Sequence, residues 1–294
     1  MKNVVGITGY NGFIGKHLLK ALADDRKIQR LVLIGRRSIE KTPNKVAWVP
    51  FDLTKEYRGE PIKIDTLIHL AGEIKKNPHD EKSKEYFESN VFGTYNLLKN
   101  FQVNHLIYAS TVDVYGKAVR KITEKTHANP SDAYSFSKFL GELLSKYILS
   151  PTRVTVLRIG NVYGDSDNSS KLIPSVFRNF RNGLKVTVYG DGSYTRDYIN
   201  IGDVVNIIKI FVEKRQPGVF NVVSGNSTQI INVVTEIAKF FDYDRDKLEF
   251  KSLPIRLHSI EFNNSKLLSV IGNYNFKDFK EGLREIYEAN KNIL

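Results

Sequence analysis

The sequence predicts an α/β fold: a doubly wound, mostly parallel sheet with a smaller, interleaved C-terminal lobe. Apolar runs typical of buried strands alternate with helical patterns up to Gly164, and a glycine-rich turn joins the first strand to the first helix. Strands that alternate with helices favour right-handed crossovers, which make neighbouring strands parallel. After Gly164 the alternation is less regular, which indicates the second lobe.

The elements follow from the spacing of apolar residues. In the N-terminal part, strands are predicted at 3–9, 30–35, 46–53, 65–72, 105–111 and 153–164, and helices at 12–24, 84–101 and 133–148. In the C-terminal part we predict a helix at 171–183, a strand, turn and helix within 186–213, a strand at 218–225, and helices at 231–241 and 276–291.

The composition excludes several classes of protein. Of the 294 residues, 41% are hydrophobic and 26% are charged, as in ordinary globular domains. The chain has no cysteine, which excludes disulfides, cysteine–zinc sites and thiol nucleophiles, and we expect no metal site. Because no apolar run resembles a signal peptide or a transmembrane segment, we expect a cytoplasmic protein with no membrane partner.

The formal net charge is +12. Lysines and arginines are scattered along the chain and mixed with acids, which favours a solvated surface over a nucleic-acid interface. We therefore predict no nucleic-acid partner, although the positive field would also favour a small acidic ligand.

The stretch GITGYNGFIG places Gly9, Gly12 and Gly15 between the first strand and the first helix. A helix N-terminus at the carboxyl edge of a sheet favours an anion, and glycines allow the backbone to approach a pyrophosphate. The first gap is one residue longer than in the usual dinucleotide-binding pattern. An ordinary tight turn is the alternative interpretation.

The end of the second strand bears on which dinucleotide would bind. An acidic residue there would hold the ribose hydroxyls of NAD, but this sequence has Arg36 and Arg37. Two guanidinium groups suit a 2′-phosphate, which favours NADP(H) over NAD(H); ordinary surface arginines are the alternative. Asp52, at the end of the third strand, is a candidate either to contact the adenine or to cap a turn.

Tyr134 and Lys138 are four residues apart on a predicted helix and therefore project from one face. An ammonium group favours a neighbouring phenolate, so we expect the pKa of Tyr134 to be lowered toward neutrality, which suits proton exchange with a hydroxyl. The preceding strand ends in Ser110 and Thr111, whose hydroxyls reach the same sheet edge. A Tyr–Lys pair alone is an ordinary surface feature, but this combination predicts a catalytic site.

In the order in which they follow along the chain, the motifs of this sequence resemble those of extended short-chain dehydrogenases/reductases of the NAD-dependent epimerase/dehydratase family. The substrates of that family are mostly nucleotide sugars. TGYNGFIG resembles the cofactor turn, STVDVYG the segment of the catalytic hydroxyl, YSFSK the Y-x-x-x-K motif and LRIGNVYG the sixth strand. The resemblance covers nearly the whole chain. It implies a Rossmann NAD(P)-binding domain over 1–164, with returning segments near 195–224, and a substrate-binding lobe over 165–194 and 225–294.

The resemblance also implies site residues. The catalytic residues would be Thr111, Tyr134 and Lys138. The cofactor-binding residues would be Gly9, Gly12, Phe13, Ile14, Gly15, Arg36, Arg37, Asp52, Leu53, Leu70, Ala71, Gly72, Asn90, Ser110, Tyr134 and Lys138. The substrate-binding residues would be Thr111, Tyr134, Asn161, Arg196 and Arg256, with the two arginines binding the diphosphate. Without the resemblance, an ion pair with Asp197 explains Arg196 equally well.

Three reactions of a nucleotide sugar share such a site: 4-epimerisation, 4-ketoreduction and 4,6-dehydration. In the resembling dehydratases an Asp-Glu pair commonly follows the catalytic threonine, whereas Val112 and Asp113 follow it here, and valine transfers no proton. A phosphorylated cofactor favours net reduction, so we favour an NADPH-linked 4-keto-6-deoxy nucleotide-sugar reductase. The alternatives are a 4-epimerase similar to UDP-glucose 4-epimerase and a non-catalytic dinucleotide-binding sensor.

The helices near 86–100 and 134–147 carry apolar residues on more than one face. Their own sheet covers only one face of each helix, and the resembling enzymes pair through these two helices. We therefore expect a homodimer.

Overall fold

The computed structural model describes residues 3–39, 44–57, 59–75, 82–117, 121–241, 248–252 and 258–291. Seven strands form its central sheet: β1 (Val4–Thr8), β2 (Arg30–Gly35), β3 (Val46–Pro50), β4 (Lys63–His69), β5 (Gln102–Thr111), β6 (Val154–Ile159) and β10 (Gly218–Val222). Their order is β3-β2-β1-β4-β5-β6-β10, and all neighbours run parallel. The predicted doubly wound parallel sheet is confirmed.

Helices cover both faces of this sheet. Apolar residues of α1 (Phe13–Ala23) and α6 (Ile201–Lys214) form the core on one face, and those of α3 (Gly93–Asn100) and α4 (Ala133–Leu149) contribute to the core on the other. Side chains of a strand alternate between faces, so Leu31 and Leu33 of β2 join the first core whereas Val32 and Ile34 join the second. The continuously apolar strands that the sequence shows are thus explained by burial on both sides.

The segment between β4 and β5 is one continuous helix with an irregular middle. It consists of α2 (Ser83–Tyr86), a π-helical segment (Phe87–Phe92) and α3. The sequence predicts a regular helix here, because hydrophobic spacing does not reveal a single widened turn. The π-helical segment contains Asn90, which is buried behind the cleft described below.

The prediction of a single sixth strand over 153–164 is wrong, because the chain leaves the central sheet at Gly160. β6 ends at Ile159, and β7 (Asn161–Tyr163) joins a second sheet with β9 (Thr195–Asn200) and β11 (Ser227–Gln229). At the break the Gly160 N–H donates to the Val222 carbonyl at 3.0 Å. A Cβ on Gly160 would lie 3.1 Å from the Val223 side chain, so the crowded corner favours glycine.

The remaining elements pack around a third core. These are α5 (Leu172–Arg181), β8 (Val186–Tyr189), α7 (Ile230–Ala238), β12 (Leu248–Lys251) and α9 (Phe279–Asn290), while α8 (Ser265–Ile271) packs on β10. β11, β12 and α8 were not predicted from the sequence, because segments of three, four and seven residues are too short to establish a periodic pattern. No helix in the described ranges has both the length and the apolar character needed to cross a bilayer.

Candidate active site

A cleft of about 1130 Å³ opens at the carboxyl edge of the central sheet. β1 and β4 are neighbours there, yet the helices that follow them pack on opposite faces, and doubly wound sheets bind ligands at such a point. Most predicted site residues line this cleft: Gly9, Gly12, Phe13, Ile14, Gly15, Arg36, Arg37, Asp52, Leu53, Leu70, Ala71, Gly72, Ser110, Thr111, Tyr134, Lys138 and Asn161.

The glycine turn is compact because side chains would not fit in it. Gly9 has a φ of +71°, and a Cβ there would lie 2.6 Å from the backbone nitrogen of Ala71. The Gly12 N–H donates to the Gly9 carbonyl at 3.0 Å, and a Cβ on Gly15 would overlap that carbonyl oxygen. The N-cap of α1 is Gly12, which has no side chain to cap the helix, so the first N–H groups of α1 are available to an anion.

Arg36 and Arg37 follow the carboxyl end of β2, and both side chains are exposed. The Tyr10 hydroxyl donates to the Arg37 carbonyl, which ties down the backbone at this corner. Burial alone would raise the pKa of Asp52, but hydrogen bonds from Thr54 and the charge of Arg36 lower it overall. Asp52 accepts the Thr54 N–H at 3.0 Å, so it caps a turn and also lines the cleft.

α4 brings Tyr134 and Lys138 to the wall of the cleft. Asp132 caps the helix by accepting the Ser135 N–H at 2.8 Å, which orients its first turn. The side chains of Tyr134 and Thr111, the last residue of β5, lie close to each other on this wall. One helical turn further on, Lys138 is only 6% exposed. The three predicted catalytic side chains therefore line a single cleft.

The protonation of these groups differs from our prediction. Burial raises the pKa of Tyr134 and the Asp113 carboxylate raises it further, while the hydrogen bond with Thr111 lowers it less. The expectation that Lys138 would pull the pKa of Tyr134 toward neutrality is therefore wrong, because desolvation of the phenolate dominates. Burial also lowers the pKa of Lys138 to about 8, against the influence of the Glu142 carboxylate. At pH 7 the tyrosine is a neutral phenol and the lysine is mostly charged.

A buried ion pair lies behind the catalytic helix. Arg158 of β6 donates to both carboxylate oxygens of Glu142, at 3.0 and 2.8 Å, and Glu142 is fully buried. The Ser110 hydroxyl, predicted to face the cofactor, donates to the same carboxylate at 2.5 Å. This arrangement ties α4 to β5 and β6, and the sequence pattern alone did not reveal it.

Asn90 holds the π-helical segment against the cleft without lining it. Its Nδ2 donates to the Glu73 carbonyl at 3.0 Å and to the Ser137 hydroxyl at 2.9 Å. Its buried Oδ1 has no hydrogen-bond partner among the described residues. A Cβ on Gly72 would overlap this Oδ1, so the bare backbone of the turn after β4 lies directly against it.

His69, which the sequence analysis assigned no role, connects three elements at the floor of the cleft. The Thr94 hydroxyl donates to the Asn90 carbonyl at 2.7 Å, so His69 Nε2, 3.0 Å from that hydroxyl, must be the donor. His69 Nδ1 then accepts from Thr8 at 2.7 Å, and Thr8 accepts the Ala71 N–H at 3.1 Å. Burial lowers the pKa of His69 to about 3, which keeps the imidazole neutral.

Arg196 lies outside the cleft lining. Its guanidinium donates to the Thr195 and His258 carbonyls at 2.8 and 2.7 Å and lies 5.0 Å from the Tyr194 ring centroid. The alternative of a pair with Asp197 is wrong: that carboxylate accepts from Ser224 and Gly225, and burial raises its pKa to about 6.

The other two predicted substrate-binding residues of this region differ in position. Asn161 donates to the Asp197 carbonyl at 3.0 Å and lines the cleft. Arg256 lies outside the described residues.

Several charged residues of the cleft were not among the predicted site residues. Lys75 and Asp132 form an ion pair of 2.7 Å at the wall of the cleft. Asp113 is exposed on the same wall. Desolvation by the surrounding protein and the charge of Asp132 raise the pKa of its carboxyl, while Thr111, Lys75 and Lys171 lower it less. Within the described ranges no group of three or more His, Asp or Glu side chains could hold a metal ion.

A doubly wound parallel sheet with a bare glycine turn at this edge is typical of dinucleotide-binding domains. Residues 5–223 match the model of the NAD dependent epimerase/dehydratase family. The chain belongs to this family.

Two relatives of this chain have names that include 4,6-dehydratase activity on a nucleotide sugar. The chain is 31% identical to a dTDP-D-glucose 4,6-dehydratase of Dictyostelium discoideum, over 79% of this chain and 60% of that protein. It is 26% identical to a trifunctional UDP-glucose 4,6-dehydratase/UDP-4-keto-6-deoxy-D-glucose 3,5-epimerase/UDP-4-keto-L-rhamnose-reductase of Arabidopsis thaliana, over 98% of this chain and 47% of that one. The chain thus spans about half to three fifths of the length of these two relatives.

Among solved structures, MoeE5 in complex with UDP-glucuronic acid and NAD superposes with a TM-score of 0.85 and 25% identity. The match covers 99% of this chain and 100% of that one.

Proposed function

We propose that this protein is an NAD(P)-dependent nucleotide-sugar oxidoreductase/epimerase that acts by hydride transfer at C4 of the sugar. Within that class we favour an NADPH-linked reductase of a 4-keto-6-deoxy nucleotide sugar. The observation that carries the proposal is the cleft in which Thr111, Tyr134 and Lys138 lie beside a bare glycine turn. The family match and the ligands of MoeE5, which are UDP-glucuronic acid and NAD, support the proposed class of enzyme.

The cleft fits a dinucleotide. The turn at Gly9 and Gly15 has no room for side chains, and the first N–H groups of α1 face an anion. The bare Gly72 backbone, which also lines the cleft, offers polar contacts to the same ligand. A nicotinamide dinucleotide, when bound, supplies or accepts the hydride.

The protein's own residues would move the proton. Tyr134 is held as a neutral phenol by burial and by Asp113, which suits a donor to the oxygen of a ketone under reduction. The hydroxyl of Thr111, close to Tyr134 on the same wall of the cleft, would orient that oxygen. The charge of Lys138 would stabilise the phenolate that forms.

Dehydration would need a further acid–base pair. Val112 stands at the first of the two positions and is buried in an apolar cluster. Its hydrocarbon side chain has no proton to transfer. Asp113 alone remains at the wall of the cleft. We therefore do not assign dehydratase activity, although both curated relatives named above include it in their names.

Arg36 and Arg37 support a phosphorylated cofactor. Both are exposed at the end of β2, and no acidic residue stands there to bind the ribose hydroxyls of NAD. Two guanidinium forks match the charge and geometry of a 2′-phosphate. We also propose that Arg196 and Arg256 bind the substrate diphosphate, which requires the Arg196 guanidinium to exchange its bonds to the Thr195 and His258 carbonyls for phosphate oxygens.

Exposed apolar residues on neighbouring helices support a homodimer. On α4 these are Phe136, Leu143 and Tyr147, and on the π-helical segment and α3 they are Phe92 and Tyr95. The five lie on helices that contact each other, and a monomer would leave all of them exposed to water.

The deciding experiment incubates the purified protein with UDP-, dTDP-, CDP- and GDP-sugars, including 4-keto-6-deoxy forms, with and without NADPH. Stoichiometric loss of NADPH absorbance is expected with a 4-keto sugar. Conversion between C4 isomers without net cofactor loss would instead identify the epimerase. Cofactor binding without either reaction would identify the sensor.

Tyr134→Phe is the matched variant for the assigned proton donor. It should lower turnover by at least about a hundredfold with cofactor affinity unchanged. Tyr86→Phe removes a hydroxyl from the neighbouring ring, 5.6 Å away, and should retain most of the rate. Retention of the rate by Tyr134→Phe would contradict the assignment.

A further inference from the structure

Lys138 keeps its charge in a place that is nearly closed to water. The side chain is 6% exposed, and its Nζ lies 4.5 Å from the centroid of the Tyr108 ring. On the other side is the turn after β4, where a Cβ on Gly72 would lie 3.8 Å from Nζ. The ammonium therefore lies between an aromatic face and a bare backbone turn.

Tyr108 is itself held firmly. It is fully buried in β5, and the His69 ring packs edge-to-face against it at 5.6 Å. Its hydroxyl contacts the Lys138 carbonyl at 3.5 Å, on the same turn of α4 whose ammonium lies over the ring. The ring is thus fixed relative to both the backbone and the side chain of Lys138.

Gly141 explains how this ring fits beneath α4. Glycine is unfavourable inside a helix, so its presence in α4 needs a packing reason. A Cβ on Gly141 would overlap the Tyr108 hydroxyl oxygen. The glycine therefore creates the space that the tyrosine occupies.

We propose that Tyr108 is a positioning residue whose ring face holds the ammonium of Lys138 beside the Gly72 turn, and that Gly141 admits the ring. A cation over an aromatic face is attracted by the ring quadrupole, most strongly where water is excluded. The ring thereby offsets part of the desolvation that burial imposes on the lysine. Only the catalytic consequence of this contact rests on the function proposed above.

The other titratable groups around Lys138 are either neutral or already paired with another charge. On its own helix it faces Tyr134 and Glu142, and Glu142 is already paired with Arg158 of β6. From β4 it faces His69, which burial keeps neutral. From β5 it faces Tyr108, whose pKa burial raises, so this ring is also neutral. The aromatic face is the stabilising contact whose strength can be changed without adding or removing a charge.

The test replaces Tyr108 with phenylalanine carrying zero, one, two or three ring fluorines, which weakens the quadrupole with little change in volume. Lysine labelled at Cε with 13C reports the titration of Lys138, and loss of the signal in Lys138→Met assigns it. Phenylalanine without fluorine should titrate like tyrosine, near pH 8. Each fluorine should lower the midpoint, by about one unit in total for three.

The outcomes separate this inference from the proposed function. Equal midpoints across the fluorine series would overturn the role of Tyr108, whatever the enzyme does. Gly141→Ala should lower the midpoint as the trifluoro ring does, because the new Cβ would overlap the Tyr108 hydroxyl oxygen and displace the ring from Nζ; an unchanged midpoint would contradict the role of Gly141. If the wild type bound no dinucleotide and turned over no nucleotide sugar, the proposed function would fail while the titration result stood.

Discussion

The Ser110 hydroxyl and the Glu142 carboxylate are 2.5 Å apart, and both residues are buried. Ser110 precedes Thr111, the last residue of β5, and Glu142 lies one turn beyond Lys138 on α4. The two neighbouring hydroxyls of β5 are therefore used differently. The Thr111 hydroxyl lies close to Tyr134 in the cleft, whereas the Ser110 hydroxyl anchors α4 to the sheet.

Glu142→Gln should destabilise the protein by about 3 kcal/mol or more, because it leaves the Arg158 guanidinium buried without a counter-charge. Urea unfolding at pH 7 measures the change in the free energy of unfolding. The double variant Glu142→Met with Arg158→Met should be more stable than Glu142→Gln, since no unpaired charge remains. A loss below about 1 kcal/mol for Glu142→Gln would show that the pair contributes little.

Gly15→Ala and Gly12→Ala form a matched pair within the glycine turn. The new Cβ would overlap the Gly9 carbonyl oxygen at Gly15, but would lie 3.2 Å from that oxygen at Gly12. Gly15→Ala should therefore lower stability by about 2 kcal/mol or more. Gly12→Ala should fold nearly normally yet bind dinucleotide at least about tenfold more weakly. Thermal unfolding and cofactor titration check both; equal stability losses would contradict the prediction.

Arg36→Ala should weaken NADPH binding by about ten- to a hundredfold while leaving NADH binding unchanged, because a charged hydrogen bond to a 2′-phosphate is lost. Fluorescence titration with both cofactors measures this. Arg26→Ala is the control, since it removes the same charge from an exposed position before the other end of β2. Equal weakening of NADH and NADPH would argue against a 2′-phosphate site.

Lys138→Met should stabilise the protein at pH 7 while abolishing turnover. The native pKa of Lys138, about 8, lies below the value of about 10.4 in an unfolded chain. The unfolded state therefore binds more protons between these values, and the wild type gains stability as the pH rises through this window. The advantage of the variant should be about 3 kcal/mol at pH 7 and below about 1 kcal/mol at pH 10. A constant difference across this range would contradict the lowered pKa.

Tyr147→Lys combined with Leu143→Lys should convert a dimer into a monomer, because it places charge on the exposed apolar face of α4. Sedimentation of wild type and variant at micromolar concentration measures the mass. Leu184→Lys with Tyr189→Lys changes exposed apolar residues elsewhere and should leave the mass unchanged. A monomeric wild type would refute the homodimer.

The parts of the site that the sequence could predict are those with local causes. The glycine turn follows from three residues between a strand and a helix, and the pairing of Tyr134 with Lys138 follows from helical periodicity. The break at Gly160 and the π-helical turn around Asn90 escaped prediction, because neither changes the apolar pattern. The expected fall in the pKa of Tyr134 was wrong because spacing shows the neighbouring charge but not the loss of water around the phenol.

By itself, the sequence determined the alternation of strands and helices, the bare turn after β1 and the order of the motifs, because backbone preference and hydrophobic spacing act over a few residues. Only the tertiary structure decided that Ser110 binds Glu142, that Arg196 lies outside the cleft lining, and that Tyr108 lies beneath Lys138. These contacts join residues of different elements. Their energies depend on which groups lose water together, and that is settled only when the chain packs.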